Sequence, residues 1–143
     1  MKALALALCV LSTSAFADGA NLTYLPAPAL SPAEQQTMAT IQAHPTVTSA
    51  VANGMTASAL DSTIVNVTIA GAVYRLVGAK TNSAEDPNID EWRGTGMGAT
   101  GYFARSNGVV RGRVQIGPKR YGVVQIGTWV GVTTLLKQQQ VID

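Results

Sequence analysis

A chain of 143 residues, 47% of them hydrophobic, is long enough to bury one core as a single domain. Its net charge of +2 with only 13% charged residues excludes the dense basic stripe that nucleic-acid binding demands. One cysteine and one histidine leave little for disulfides, thiolate sites or a zinc centre.

Met1-Lys2 is a short positive start, Ala3 to Leu11 is an unbroken apolar run, and Ala15-Phe16-Ala17 offers small residues where a signal peptidase reads. Residues 1–17 are therefore expected to be an export signal, cut after Ala17. The apolar run is about half the ~20 residues a membrane helix needs. No membrane span is expected after cleavage, and the product should be periplasmic or secreted. Cys9 lies inside this leader, so the processed chain is cysteine-free and relies on packing. Lys2 is the leader's only charge. Beyond it, Asp18, Glu34 and Asp61 are the only charges as far as Tyr74, and every further Lys and Arg comes from Arg75 onward.

Residues 18–30 hold Pro26 and Pro28 and read as an extended arm, and residues 31–143 as a single β-rich domain that begins with helices. Ser31-Pro32-Ala33-Glu34 is a helix start: Ser31 can accept from first-turn amides, Pro32 has no amide to orphan, and Glu34 can reach back to Ser31. The helix should run to about His44 on a narrow apolar face of Ala33, the Thr37 methyl, Met38 and Ile41. Pro45 either ends it or opens a second short helix over Thr46 to Ala52, closed by Asn53-Gly54.

After Gly54 the period becomes two. Ile64 to Ile69 puts Val65, Val67 and Ile69 on one face; Ala70-Gly71 turns the chain; Ala72 to Val77 alternates again, giving a hairpin. Lys80 to Ile89 is polar, contains Pro87, and reads as a loop. Trp92 opens a third strand, Tyr102 to Arg105 a fourth. Asn107-Gly108 suits a turn of positive φ. Val109 to Ile116 sends Arg111, Arg113 and Gln115 to one face and Val110, Val114 and Ile116 to the other. Gly117-Pro118-Lys119-Arg120 turns into Tyr121 to Ile126, and Thr128 to Leu136 makes a last strand. The expected fold is α+β and mainly β: two short N-terminal helices on an antiparallel sheet or small barrel of six to seven strands. Strands that span a membrane are about 9 to 11 residues long and at least eight in number, more than this pattern offers.

Candidate chemistry is sparse. Gly96-Met97-Gly98-Ala99-Thr100-Gly101 fits the dinucleotide pattern literally, but strand-like Tyr102-Phe103 follows where a helix must begin, and no acidic residue lies about 20 positions on. Glu85, Asp86, Asn88 and Asp90 alternate oxygen ligands, yet Glu91 and Met97 stand where a calcium loop needs glycine and glutamate. They read as a solvated turn, with a looser calcium site as the alternative. His44 stands alone at a helix end, and no serine sits in a nucleophile elbow. No catalytic, cofactor or metal residues are assigned, and an enzyme is not expected. The densest basic cluster is Arg111, Arg113, Lys119 and Arg120, which can meet an acidic partner or simply face water. Trp92 and Tyr121 are added to them as candidate partner-binding residues, though Trp92, like Trp129, can be a core or an interface anchor and sequence does not separate the two roles.

From Trp92 on, the chain resembles the propeptide region of bacterial secreted zinc metallopeptidases of the metzincin type. The resemblance rests on Trp92-Arg93-Gly94, on Tyr102-Phe103-Ala104-Arg105, on Asn107-Gly108-Val109-Val110-Arg111-Gly112, and on Gly117 to Gly127 with Tyr121-Gly122-Val123 at its centre. It covers about half the processed chain. It implies a prodomain-like module that binds another exported protein, a metallopeptidase, and inhibits it or assists its folding. The zinc motif His-Glu-x-x-His is absent from this sequence. The alternative is a structural or assembly component of the cell envelope or surface, with arm 18–30 donating a strand to a neighbour.

Overall fold

The computed structural model describes residues 19–138; the expected export signal lies outside them. Ten strands form one sheet: β1 (Ala20–Asn21), β2 (Thr23–Tyr24), β3 (Val47–Met55), β4 (Ile64–Ile69), β5 (Ala72–Asn82), β6 (Ile89–Gly96), β7 (Ala99–Ser106), β8 (Val109–Ile116), β9 (Lys119–Gly127) and β10 (Val130–Leu136). Helix α1 (Pro32–Ala43) precedes β3, and a 3-10 turn (Ala57–Asp61) precedes β4. Strand order is β1-β4-β5-β6-β7-β8-β9-β10-β3-β2, an antiparallel meander from β4 to β10 that then takes in β3.

Tight turns set this meander. Ala70-Gly71, Met97-Gly98 and Asn107-Gly108 all carry positive φ at both residues, the mirror-image geometry that matches the twist of a two-residue hairpin. Each fixes its register outright: Ile69 faces Ala72, Gly96 faces Ala99, and Ser106 faces Val109.

The segment read as an arm closes the sheet. Ala20 and Asn21 pair in parallel with Val65 and Asn66 of β4, and Thr23 and Tyr24 pair antiparallel with Met55 and Gly54 of β3. Between them the Leu22 amide donates to the Asn66 carbonyl (2.9 Å), and the Leu22 carbonyl accepts from Thr56 (3.0 Å). The Leu22 side chain is fully buried, and Thr23 Oγ1 accepts from the Thr68 amide at 2.7 Å. Five residues thus stitch β4, at one end of the sheet order, to β3 at the other, giving a nearly closed barrel.

Alternation fills the interior, as the sequence predicts. Val65, Val67, Ile69, Val110 and Val114 lie inside, 1% exposed or less, beside Leu76, Trp92, Phe103, Tyr121 and Val123. The Trp92 and Phe103 rings sit 6.0 Å apart. Glycines make room for them: a Cβ on Gly94 would strike the indole, and one on Gly112 would strike the Phe103 ring. Ala59 and Leu60 of the 3-10 turn are fully buried and plug one end.

Several expectations need correction. Thr46 to Ala52 is not a second helix: β-branched Val47 and Val51 join β3, whose ladder is completed by β10. Lys80 to Ile89 is not all loop, because Lys80, Thr81 and Asn82 extend β5 and pair with Trp92, Glu91 and Asp90. Together with the N-terminal strands, β3 raises the number from six or seven to ten, and one α-helix stands where two were expected. Its start is as read: Ser31 Oγ accepts from the Glu34 amide (3.1 Å) and Glu34 Oε1 from the Ser31 amide (2.8 Å). Its packing face is Glu34, Met38 and Ile41, with Ala33 and Thr37 exposed. Helix α1 lies on β3 and β9, covering β10, where Val130 and Val132 are buried apart from the interior cluster. No helix among the described residues is long and apolar enough to cross a membrane.

Candidate functional site

Two polar regions of the barrel concentrate charge, and they are built differently. At the plugged end, Arg105 projects from β7 and its Nη2 donates to Asp61 (2.7 Å) and Asp90 (2.8 Å), while Nη1 donates to the Ala57 carbonyl (3.1 Å). Lys80 adds a second bond to Asp61 at 2.8 Å. Hydrogen bonds from Arg105 and then Lys80 hold the Asp61 carboxyl well below the ordinary 3.8, and Asp61 in turn raises Arg105. Trp92 Nε1 donates to the Ser62 carbonyl (2.8 Å) beside them. Both cations here are paired with carboxylates, and the cluster ties the plug to β5, β6 and β7.

The second region is the outer wall of β6 to β9. The register places Arg93 opposite Tyr102, Tyr102 opposite Arg113, and Arg113 opposite Gly122. One straight row therefore crosses three strands as Arg-Tyr-Arg, flanked by the small residues Ala79 and Gly122. The neighbouring row reads Val77, Thr95, Thr100, Gln115 and Arg120. The guanidinium carbon of Arg93 stands 4.9 Å from the Tyr102 ring centre and that of Arg113 6.0 Å, so the phenol is held between two cations. Its hydroxyl donates to Glu91 at 3.1 Å. Between the rows runs an open groove of about 620 Å³, lined by Val77, Arg93, Thr95, Thr100, Tyr102 and Arg113 with Gly94 and Gly101 beneath. It continues over Gln115 to Arg120.

Among the described residues Arg113 and Arg120 have no carboxylate within ion-pair reach, and Arg93 has only Glu91 at 4.0 Å. No carboxylate lines the groove. The wall is thus a strip of under-neutralised guanidinium on a rigid sheet, suited to bind anions and to stack on planar groups.

The structure divides the six sequence candidates. Arg111, Arg113 and Arg120 are on the outer face, but Arg111 stands in the next row, opposite Ala104 and Val124, outside the groove. Lys119 is exposed at the head of β9, opposite Ile116. Trp92 and Tyr121 are corrections: at 0% and 9% exposure they belong to the core and cannot present a surface. Residues missed by sequence reasoning are Arg93 and Tyr102. Their signal was there, because two-residue turns at Met97-Gly98 and Asn107-Gly108 dictate which residues face each other.

The remaining motifs resolve into turns. Gly96 to Gly101 spans the β6–β7 hairpin with no helix after it. In the acidic loop Asp86 Oδ1 accepts from the Asn88 amide (3.0 Å), whereas Asp90 is turned to Arg105. Among the described residues no group of three or more His, Cys, Asp or Glu side chains converges on a metal-sized site. His44 caps α1, its Nδ1 within 2.8 Å of the Thr46 hydroxyl.

The fold and the groove together define a small, nearly closed and mainly antiparallel barrel, filled with side chains, with under-neutralised arginines on its outer wall. Compared with protein-family models, with curated proteins and with solved structures, the chain matches none.

Proposed function

We propose that this chain is an exported, non-enzymatic protein-binding module that holds its partner through the groove around Arg93, Tyr102 and Arg113. The observation that carries the reading is the contrast in pairing. The plugged end neutralises its charges internally, while among the described residues the groove leaves Arg113 and Arg120 with no carboxylate in ion-pair reach and Arg93 with only Glu91 at 4.0 Å. Such a surface gains by meeting an acidic partner, through faster encounter and fixed orientation.

A secreted zinc metallopeptidase is the first partner to test, on the resemblance described above. The residues behind that resemblance are chiefly turn and core positions of β6 to β9, the strands that build this wall. Purified chain would be titrated into co-exported metallopeptidases, following complex formation and peptidase turnover. Micromolar binding that is lost in the Arg93→Ala/Arg113→Ala double variant supports the reading. Binding that survives the double variant, or that no peptidase shows, counts against it.

One observation favours assembly as a second reading. Strand β3 pairs with β2 only at Gly54 and Met55, so Val47 to Asn53 have a ladder partner on the β10 side alone. An open edge of this kind can accept a strand from a neighbour. The arm does not serve as donor in this structure, being built into its own barrel. Concentration-dependent oligomers abolished by Val51→Lys would favour assembly.

A further inference from the structure

Resting on the reading of the groove as a partner site, we infer that its occupant is an acidic segment in polyproline-II conformation, with carboxylates three residues apart. The spacing of the arginines along the row sets the repeat of the occupant. Arg93 and Arg113 flank Tyr102 one strand to either side. Adjacent strands lie about 4.8 Å apart, so the two arginine stems rise about 10 Å from each other across the sheet. Both guanidinium carbons lie near the Tyr102 ring, 4.9 and 6.0 Å from its centre, which sets their separation at no more than about 11 Å.

An extended chain laid across the strands can match that distance in few ways. In a β-conformation, side chains on one face recur every second residue, about 7 Å apart, which falls short. A polyproline-II helix repeats every three residues with a rise of about 3.1 Å, placing residues i and i+3 on the same side about 9 Å apart. Carboxylates at i and i+3 then reach Arg93 and Arg113 together. Arg120 lies diagonally beyond Arg113, opposite Gln115, and can take a third anion further along the same segment. The floor under the segment is short: Thr95 and Thr100 bring only hydroxyl and methyl groups, and Gly94 and Gly101 bring backbone. Charge decides the sign of the occupant, because three arginines and no carboxylate line this path.

The test uses the purified full chain and fluorescein-labelled synthetic peptides on a proline-rich backbone, read by anisotropy at low salt. Two glutamates are placed at i and i+1, i and i+2, or i and i+3, with a dilysine peptide as control. The expected result is binding of the i,i+3 peptide about tenfold tighter than the others, reduced about tenfold by Arg93→Ala or Arg113→Ala. Arg111→Ala, one row away, leaves it unchanged, and melting curves confirm that the variants are folded. Equal binding of all acidic peptides, or equal sensitivity to Arg111→Ala, overturns the spacing. Tighter binding to vesicles of phosphatidylglycerol or to a single-stranded oligonucleotide than to any peptide overturns the choice of a peptide. If a peptidase complex depends on Arg93 and Arg113 while no peptide binds, this inference fails and the partner site stands.

Discussion

Arg105 and Arg113 sit on neighbouring strands of one barrel and have opposite fates. Arg105 points to the plugged end, its side chain 15% exposed, with Asp61, Asp90 and the Ala57 carbonyl all bonded to it. Arg113 points outward, leans on Tyr102, and has no carboxylate partner among the described residues. The same side chain is a structural tie in one place and an unspent binding group in the other. What separates them is the parity of the strand position and the acids within reach, and not local sequence chemistry.

That contrast can be broken most severely at the plugged end. Trp92→Ala removes the largest fully buried side chain and its bond to Ser62, and should cost about 4 kcal/mol in denaturant unfolding. A loss comparable to that of a surface substitution would show that the interior is not packed around it. Arg105→Met leaves Asp61 and Asp90 without their principal donor and should cost about 2 kcal/mol by the same measurement. An unchanged midpoint would reduce the cluster to decoration.

The acid response sharpens the same point. Asp61 titrates lower in the folded chain than in the unfolded one, where its ordinary value is 3.8. Its contribution is therefore present above that value and is lost progressively as pH falls below it, since the unfolded state takes up the proton first. Melting temperature should drop through this window, and the drop should be shallower in Arg105→Met. Parallel pH profiles would mean that Asp61 does not depend on Arg105. On the wall the effect should be smallest. Arg93→Ala and Arg113→Ala are each expected to shift stability by no more than about 0.5 kcal/mol. A larger loss would assign them to holding the fold.

How far the sequence foretold this depends on how local each signal is. The β4–β5 hairpin and the two faces of β8 were legible because alternation and an adjacent turn suffice to specify them. The capped start of α1 was legible for the same reason: Ser31 and Glu34 answer each other three residues apart. Strand β3 was not, since Val47 to Ala52 is completed by β10, whose Thr133 faces Val51 across 82 positions of chain. The closing segment was hidden too, because ladders of two residues have no periodicity to detect. Polar Lys80-Thr81-Asn82 resembles a loop until its register with Trp92, Glu91 and Asp90 is known.

The site was half legible. Alternation correctly sent Arg113 outward, and applied to β9 it would have sent Tyr121 inward with Val123. Arg93 and Tyr102 needed one more step, counting outward from each two-residue turn until the row Arg93, Tyr102, Arg113 aligned. Bulk drew attention to Trp92 as an anchor, and bulk is what the interior used.

The central claim is that this barrel works through its outer wall, with stability and recognition residing in separate arginines. A paired measurement tests it: melting temperature and metallopeptidase binding, in the same samples, for the Arg93→Ala/Arg113→Ala and Arg105→Met variants. The account predicts that the wall variant melts like the parent and loses the partner, while the Arg105 variant melts early and binds normally at temperatures where it is folded. A wall variant that binds like the parent would contradict it.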